Sequence, residues 1–276
     1  MKTTTFLSLL VSVVLMSCVG KPVQDERVVT VTIEPLRYFT EQIAGDKFKV
    51  VTMVPKGGNP ETYEPSTKHM MDLSVSDLYI KVGNIGFERT WMQKLEANAP
   101  HSIIVDSSEG VTPLRTPHGD IDPHTWMSVV NARIIARNIC QALVQIDSKN
   151  SIYFQDNLKL LLQQIDDVDA SIRKTLTESK TRSFLIYHPV LTYFAHDYNL
   201  NQIAMEEEGR EPSASQLKNV IMDARSKGVK TFFVQSEFAN RNIDIVAEET
   251  QTNKTAINPL GYNWNKEMLK VAQSLR

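Results

Sequence analysis

What the 276 residues lack narrows the reading first. Neither charge is in excess: 30 Lys and Arg stand against 32 Asp and Glu, a net charge of −2. No Lys/Arg-rich patch with interleaved aromatics occurs, which argues against nucleic acid as a partner. The apolar run Phe6 to Met16 is 11 residues long, well short of the roughly 20 needed to cross a bilayer, and no second run is long enough. HExxH and a Ser-His-Asp constellation are both missing, and no base beside an open water position can be named. A hydrolytic enzyme is therefore not expected. Cysteine occurs twice, at Cys18 and Cys140. What is present, 42% hydrophobic and 22% charged residues, is the composition of an ordinary globular protein of one large or two medium domains.

The N-terminus suggests where the protein works. Lys2 followed by the short apolar run reads as the start of a signal peptide. The run ends in Leu15-Met16-Ser17-Cys18, which resembles a bacterial lipoprotein cleavage box with Cys18 as the lipidated residue. The alternative is a plain signal peptide with an incidental cysteine. Lipid on Cys18 would tether the chain to a membrane in the cell envelope, facing the periplasm or the cell surface. Cys140 would then have no intramolecular partner, and its place in the apolar face of Arg133 to Ile146 reads as a buried small hydrophobe.

Beyond the leader, β-rich runs alternate with amphipathic segments. Val28 to Ile33, Phe48 to Val54, Leu78 to Val82 and Ser102 to Asp106 read as strands, with helices near 36–44, 66–75 and 90–97. The pattern returns with Phe184 to His188, Gln202 to Met205, Thr231 to Gln235 and Thr255 to Asn258, separated by helices near 190–198, 213–227 and 240–250. Such alternation predicts an α/β protein with two Rossmann-like lobes, each a parallel sheet with helices on its faces. Between the lobes, Lys149 to Glu178 contains no Gly or Pro, and Leu158, Leu161, Ile165, Val168, Ile172 and Leu176 step by three or four. That spacing predicts one long rigid helix. The expected divisions are a leader over 1–18, a first lobe over 19–147, a linking helix over 148–179 and a second lobe over 180–276.

Three stiff turns carry the candidate chemistry. Glu61 follows Pro60, His124 follows Pro123, and His188 precedes Pro189, and each proline fixes the backbone beside its donor. All three fall after predicted strands, where open α/β sheets bind ligands. Gln235 and Asn258 close two further strands. The expected cleft lies between the lobes, with Glu61 and His124 from the first and His188, Asn258 and, with less support, Gln235 from the second.

The order VPKGGNPETYEPS, DPHTW, a strand ending in His before YFAHDYNL, EPSASQL, FFVQSEF and INPLGYNW resembles the zinc- and manganese-binding substrate-binding proteins of bacterial ABC transporters. The resemblance covers the mature chain. It implies two α/β lobes joined by one long helix, a divalent metal ion as cargo and a membrane permease as partner; the alternatives on the same fold are manganese, iron or a metal chelate as cargo, or an adhesion lipoprotein with a degenerate site, and a monomer is expected. It also implies His124 and His188 as metal ligands. Zinc members carry His where this chain has Glu61 and Asp where it has Asn258, and the family's Glu after the penultimate strand is Gln235 here. The His- and acid-rich loop of many zinc members is absent.

These exchanges leave two imidazoles and a single carboxylate among Glu61, His124, His188 and Asn258. Imidazole favours Zn²⁺ over calcium or magnesium, and the shortage of carboxylates favours it over Mn²⁺, while two His with one carboxylate is also a set that binds Fe²⁺. Glu64 reads as a cap for the following helix or a competitor for the ion, and Glu237 as a weaker substitute for Gln235. His69, His101, His118 and His196 match no motif and read as solvated, as does the run Glu206-Glu207-Glu208.

Overall fold

The structure is a computed structural model that describes residues 27–179, 181–206, 211–235 and 241–276. Cys18, Glu207, Glu208 and Glu237 lie outside the described residues. The first lobe runs β1 (Val28–Val31), α1 (Glu34–Ala44), β2 (Lys49–Thr52), α2 (Thr67–Ser74), β3 (Leu78–Lys81), α3 (Gly86–Asn98), β4 (Ile103–Asp106) and α4 (Val129–Ile146). After α5 (Ser151–Thr177), the chain continues with β5 (Ser183–Ile186), α6 (Thr192–Asp197), β6 (Asn201–Ala204), α7 (Ala214–Ser226), β7 (Thr231–Gln235), α8 (Arg241–Thr250), β8 (Asn253–Ile257) and α9 (Trp264–Gln273).

Both sheets are wholly parallel, in the orders β2-β1-β3-β4 and β6-β5-β7-β8. The chain steps outward on one side of the first strand and then reverses, so each sheet has a switch point, between β1 and β3 and between β5 and β7. A crevice opens there beyond the carboxyl ends of the strands. Local chemistry sets the elements: β-branched Val28-Val29-Thr30-Val31 suits an interior strand, and Ser66 and Ser128 cap α2 and α4 by accepting from the amides of His69 and Asn131. Ser213 and Gln216 form a capping box at α7. The cap of α2 is thus Ser66 rather than Glu64.

At 27 residues α5 is about 40 Å long. It is no bare strut. Phe154, Leu161, Ile165, Val168, Ile172 and Leu176 are buried against α1, α4 and α9, so one continuous core runs from the first sheet through α5 into the second. A smaller cluster fills the far side of the second sheet under α7 and α8. Cys140 is buried in α4.

A paired-histidine cleft between the lobes

A cleft of about 1280 Å³ opens between the lobes, and Glu61, His124, His188, Glu206 and Gln235 all line it. At its centre His124 Nε2 lies 3.2 Å from His188 Nε2. The rings meet edge to face, with centroids 5.1 Å apart. The two residues are 64 positions apart in sequence and come from opposite lobes.

Each imidazole is held from behind by a carboxylate. Asp122 Oδ1 accepts from the His124 backbone amide and from His124 Nδ1, both at 2.9 Å, so the Asp-Pro-His turn folds its own side chain onto the ring it orients. His188 Nδ1 donates to Glu206 Oε2 at 2.5 Å. Glu206 is 3% exposed, which corrects the expectation of a solvated loop: its amide bonds the Tyr187 carbonyl at 2.9 Å, extending the β5–β6 pairing and laying the carboxylate beside His188. An ionised carboxylate only accepts, so both Nδ1 atoms carry protons and the two Nε2 atoms are left facing one another. Histidines that bind metals are oriented in this way.

Burial of His124, 7% exposed, favours its neutral form. The charge and hydrogen bond of Asp122, followed by the charges of Glu61 and Glu206, outweigh that and raise its pKa above 6.5. Burial likewise pushes the Asp122 carboxyl up, but His124 pulls harder and the net shift is downward.

Glu61 joins the cleft from the other side of the first lobe. α3 has no side-chain cap of its own. Instead its first two amides are satisfied by the Glu61 turn, with Gly86 N donating to Glu61 Oε2 at 3.0 Å and Phe87 N to the Pro60 carbonyl at 2.9 Å. A helix N-terminus favours such an anion. Gly86 is required by this close approach, because a Cβ there would stand 2.5 Å from Glu61 Oε2 and 2.6 Å from the Glu61 carbonyl. The second carboxylate oxygen, Oε1, is buried with no hydrogen-bond partner among the described residues. An orphaned anionic oxygen in a cleft with two paired imidazoles fits a cation.

Gln235 and Asn258 are placed differently from each other. Gln235 is 1% exposed and spends both ends of its amide on the His188 backbone, donating to the carbonyl at 2.8 Å and accepting from the amide at 3.4 Å. Both bonds position His188. Asn258 is not brought to the histidine pair, contrary to the expectation from its strand end. It is exposed and lines a separate cavity of about 140 Å³ with Ile33, Glu34 and Val54. Glu267 Oε1 captures its backbone amide at 2.6 Å, and its carbonyl closes a turn onto Gly261 N, so Pro259 and Leu260 reach the cleft in its place. Among the described residues no three His, Cys, Asp or Glu side chains stand close enough together to hold a metal ion as placed; His124 and His188 form a two-imidazole face, and Glu61 lines the same cleft.

The lobes are tied together beneath this face. Trp126, next but one to His124, donates its indole N–H to the Pro259 carbonyl at 2.8 Å, and Trp264 returns one to the Trp126 carbonyl at 2.7 Å. Tyr193 of α6 donates to the Asp122 carbonyl at 3.0 Å and accepts from Leu114 N at 3.1 Å. Asp197 receives the Ser128 hydroxyl at 2.6 Å.

With this geometry in place, comparison with known proteins decides the family: residues 29–273 match zinc-uptake complex component A, periplasmic. The chain belongs to this family. It is 26% identical over 254 residues, 86% of this chain and 79% of the relative, to the high-affinity zinc uptake system protein ZnuA of Bacillus subtilis strain 168. It is 30% identical over 89% of its length, and 84% of the relative, to a metal ABC transporter substrate-binding lipoprotein of Lactococcus lactis. A solved crystal structure of ZnuA superposes with a TM-score of 0.86 at 34% identity, covering 90% of this chain and 97% of that one. The family consists of metal-binding components of transporters.

Glu206→Gln tests the orienting role of the second carboxylate. The amide can accept from His188 Nδ1 but carries no charge, so zinc affinity should fall roughly 10- to 100-fold with the melting temperature of the metal-free protein nearly unchanged. A competition titration against a zinc chelator measures it.

Proposed function

We propose that this chain is an extracytoplasmic substrate-binding protein that captures a divalent transition metal ion, Zn²⁺ first among them, and delivers it to an ABC permease. One observation carries the reading: the 3.2 Å approach of His124 Nε2 and His188 Nε2, with both Nδ1 atoms committed to carboxylates. Two ring nitrogens facing at that distance repel unless a proton or a metal ion lies between them, so the pair suits a cation. With metal–nitrogen bonds of about 2.05 Å, a 3.2 Å separation corresponds to a ligand–metal–ligand angle of about 103°, close to tetrahedral.

In this reading His124 and His188 supply one nitrogen each and Glu61 Oε1 supplies the anionic donor, leaving one position for water or a moving donor. Asp122, Glu206 and Gln235 orient the imidazoles, and Asn258 is not a ligand. Imidazole-rich ligation favours Zn²⁺ over Mn²⁺, while the two-His, one-carboxylate set keeps Fe²⁺ as the second candidate. Metal analysis of protein purified without chelators should find about one zinc per chain. A stoichiometric load of iron or manganese in its place would overturn the choice of zinc. The family, metal-binding components of transporters, supports a carrier rather than a hydrolase. Esterase, amidase and phosphatase assays of the zinc-loaded protein should give no turnover above free zinc.

The proposed location is the outer side of a membrane, with lipid on Cys18 as the anchor and a monomer as the working form. Among the described residues no helix is long and apolar enough to cross a membrane. Palmitate labelling in a bacterial host should mark the full-length chain, Cys18→Ser should abolish the label, and Cys140→Ser should leave it. Label on the Cys18 variant would sink the anchor.

A further inference from the structure

The buried carboxylate of Glu88 is outside the donor set, yet it stands at the first lobe's switch point. Third residue of α3 and 2% exposed, it turns back over the end of β3. Its Oε1 accepts from Val82 N at 2.7 Å and from the Thr32 hydroxyl at 2.5 Å, and its Oε2 from Gly83 N at 2.8 Å. Having donated to Glu88, the Thr32 hydroxyl accepts from the Tyr79 hydroxyl at 2.8 Å. Glu88 therefore ties the residue after β1 to the residues after β3. Gln235 does the same across β5 and β7 in the second lobe, where it holds His188. In each lobe one buried side chain spans the switch point under a cargo donor.

In the first lobe that donor is Glu61. The Val82–Gly86 turn, closed at one end by Glu88, presents the Gly86 and Phe87 amides to the Glu61 turn. We infer that Glu88 is a positioning residue for the cargo: it fixes the Val82–Gly86 turn, holds the Gly86 amide on Glu61 Oε2, and so keeps Glu61 Oε1 ready for the ion. The inference rests on the assignment of Glu61 as the anionic donor.

The chemistry of Glu88 supports this role. Tyr79 and Lys81 of β3 face it, with Lys81 paired to Asp106 of β4 at 3.3 Å. Burial pushes the Glu88 carboxyl up to about 7 despite its bonds from Thr32, Gly83 and Val82 and the nearby Lys81 charge. A buried carboxyl with its pKa pushed up in this way is a candidate functional group.

The test is a four-protein cycle of parent, Glu61→Gln, Glu88→Gln and the double variant. Zinc affinity is measured by chelator competition at pH 7.5, and melting temperature without metal. Glu88→Gln should cost about tenfold in affinity in the parent, in line with other residues that orient ligands. In the Glu61→Gln background the further cost should be under about twofold, the non-additivity expected of residues that act through one another. Equal losses in both backgrounds, or none in the parent, would overturn the inference while leaving Glu61 as a donor. Equal zinc affinity of Glu61→Gln and parent would instead remove Glu61 from the site, and the inference with it. If Glu88→Gln does not fold, Thr32→Val, which strips one donor from Glu88, takes its place in the cycle under the same criteria.

Discussion

Replacing His124 or His188 by alanine should cost at least about a hundredfold in zinc affinity, more than the loss of any residue that merely orients a ligand. In the proposed site each imidazole supplies a whole metal bond, and the two come from different lobes. The nearest other lining histidines by sequence, His118 and His196, hold no place in the Nε2–Nε2 contact. Zinc at a hundredfold excess over its dissociation constant should add roughly 2.7 kcal/mol to the parent's stability. For a chain of this size that is an upward shift in melting temperature of roughly 5 to 11 °C. Both alanine variants should show almost none of it at the same zinc concentration. Parent-like shifts in both would place the ion elsewhere.

The frame of the fold is legible in the sequence because its signals are local. Val28 to Val31 or Thr231 to Gln235 need only β-branched and aromatic residues between turns, and α5 announces itself by 30 residues without Gly or Pro. Where a signal comes from afar the reading fails. α3 begins at Gly86 rather than near residue 90, because Gly86 looks like a breaker and the cap arrives from Pro60 and Glu61, 25 residues upstream. α9 has no Ser, Thr or Asp cap at Asn263 and follows the last expected strand, so the alternation gives no cue for it.

The candidate site divides along the same line. Proline beside each donor and a place after a strand bring Glu61, His124 and His188 into one cleft. The same rule misplaces Asn258, since a residue after a strand enters the crevice only if the next turn lets it, and here Glu267 holds the amide outside. Asp122 is visible in the motif but reads as a turn residue until its carboxylate is seen on the ring. Glu206 could not be told from Glu207 and Glu208, because what singles it out is a partner just past the end of the neighbouring strand, His188. Three acidic residues in a row suggest solvation, whereas strand pairing buries one of them.

Release by separating His124 from His188 in the proposed site would be opposed by the bonds between the lobes that carry them. Trp126 and Trp264 clasp the lobes next to His124, Tyr193 links α6 to the Asp122 carbonyl, and α5 is packed along its length. A wide hinge motion would break all of these together, so a small tilt, or competition for the imidazoles themselves, is the less costly route.

Protons are the competitor at hand, and the expected result is a steep fall in zinc affinity between about pH 7.5 and 5.5. Metal binding needs neutral imidazole, so each histidine that takes a proton in the metal-free protein weakens binding by up to about tenfold per pH unit below its pKa. Asp122, Glu61 and Glu206 raise the pKa of His124 above 6.5 against the opposing effect of burial, and the loss should therefore begin at higher pH than an unperturbed histidine would give. In the metal-free protein the sign is the reverse. A raised folded pKa means that protonation of His124 stabilises the fold fully below the unfolded pKa near 6.5, and that this contribution is lost as pH rises through the folded value. The stability gained from zinc should accordingly shrink from both directions as pH falls: the loaded form loses its ion while the empty form gains its proton. Calorimetric titration in buffers of differing ionisation enthalpy measures the protons released per zinc bound, and Asp122→Asn should move the onset to lower pH by removing the charge that raises the His124 pKa. Zinc binding that stays constant from pH 7.5 to 5.5 would exclude the paired imidazoles as the ligands.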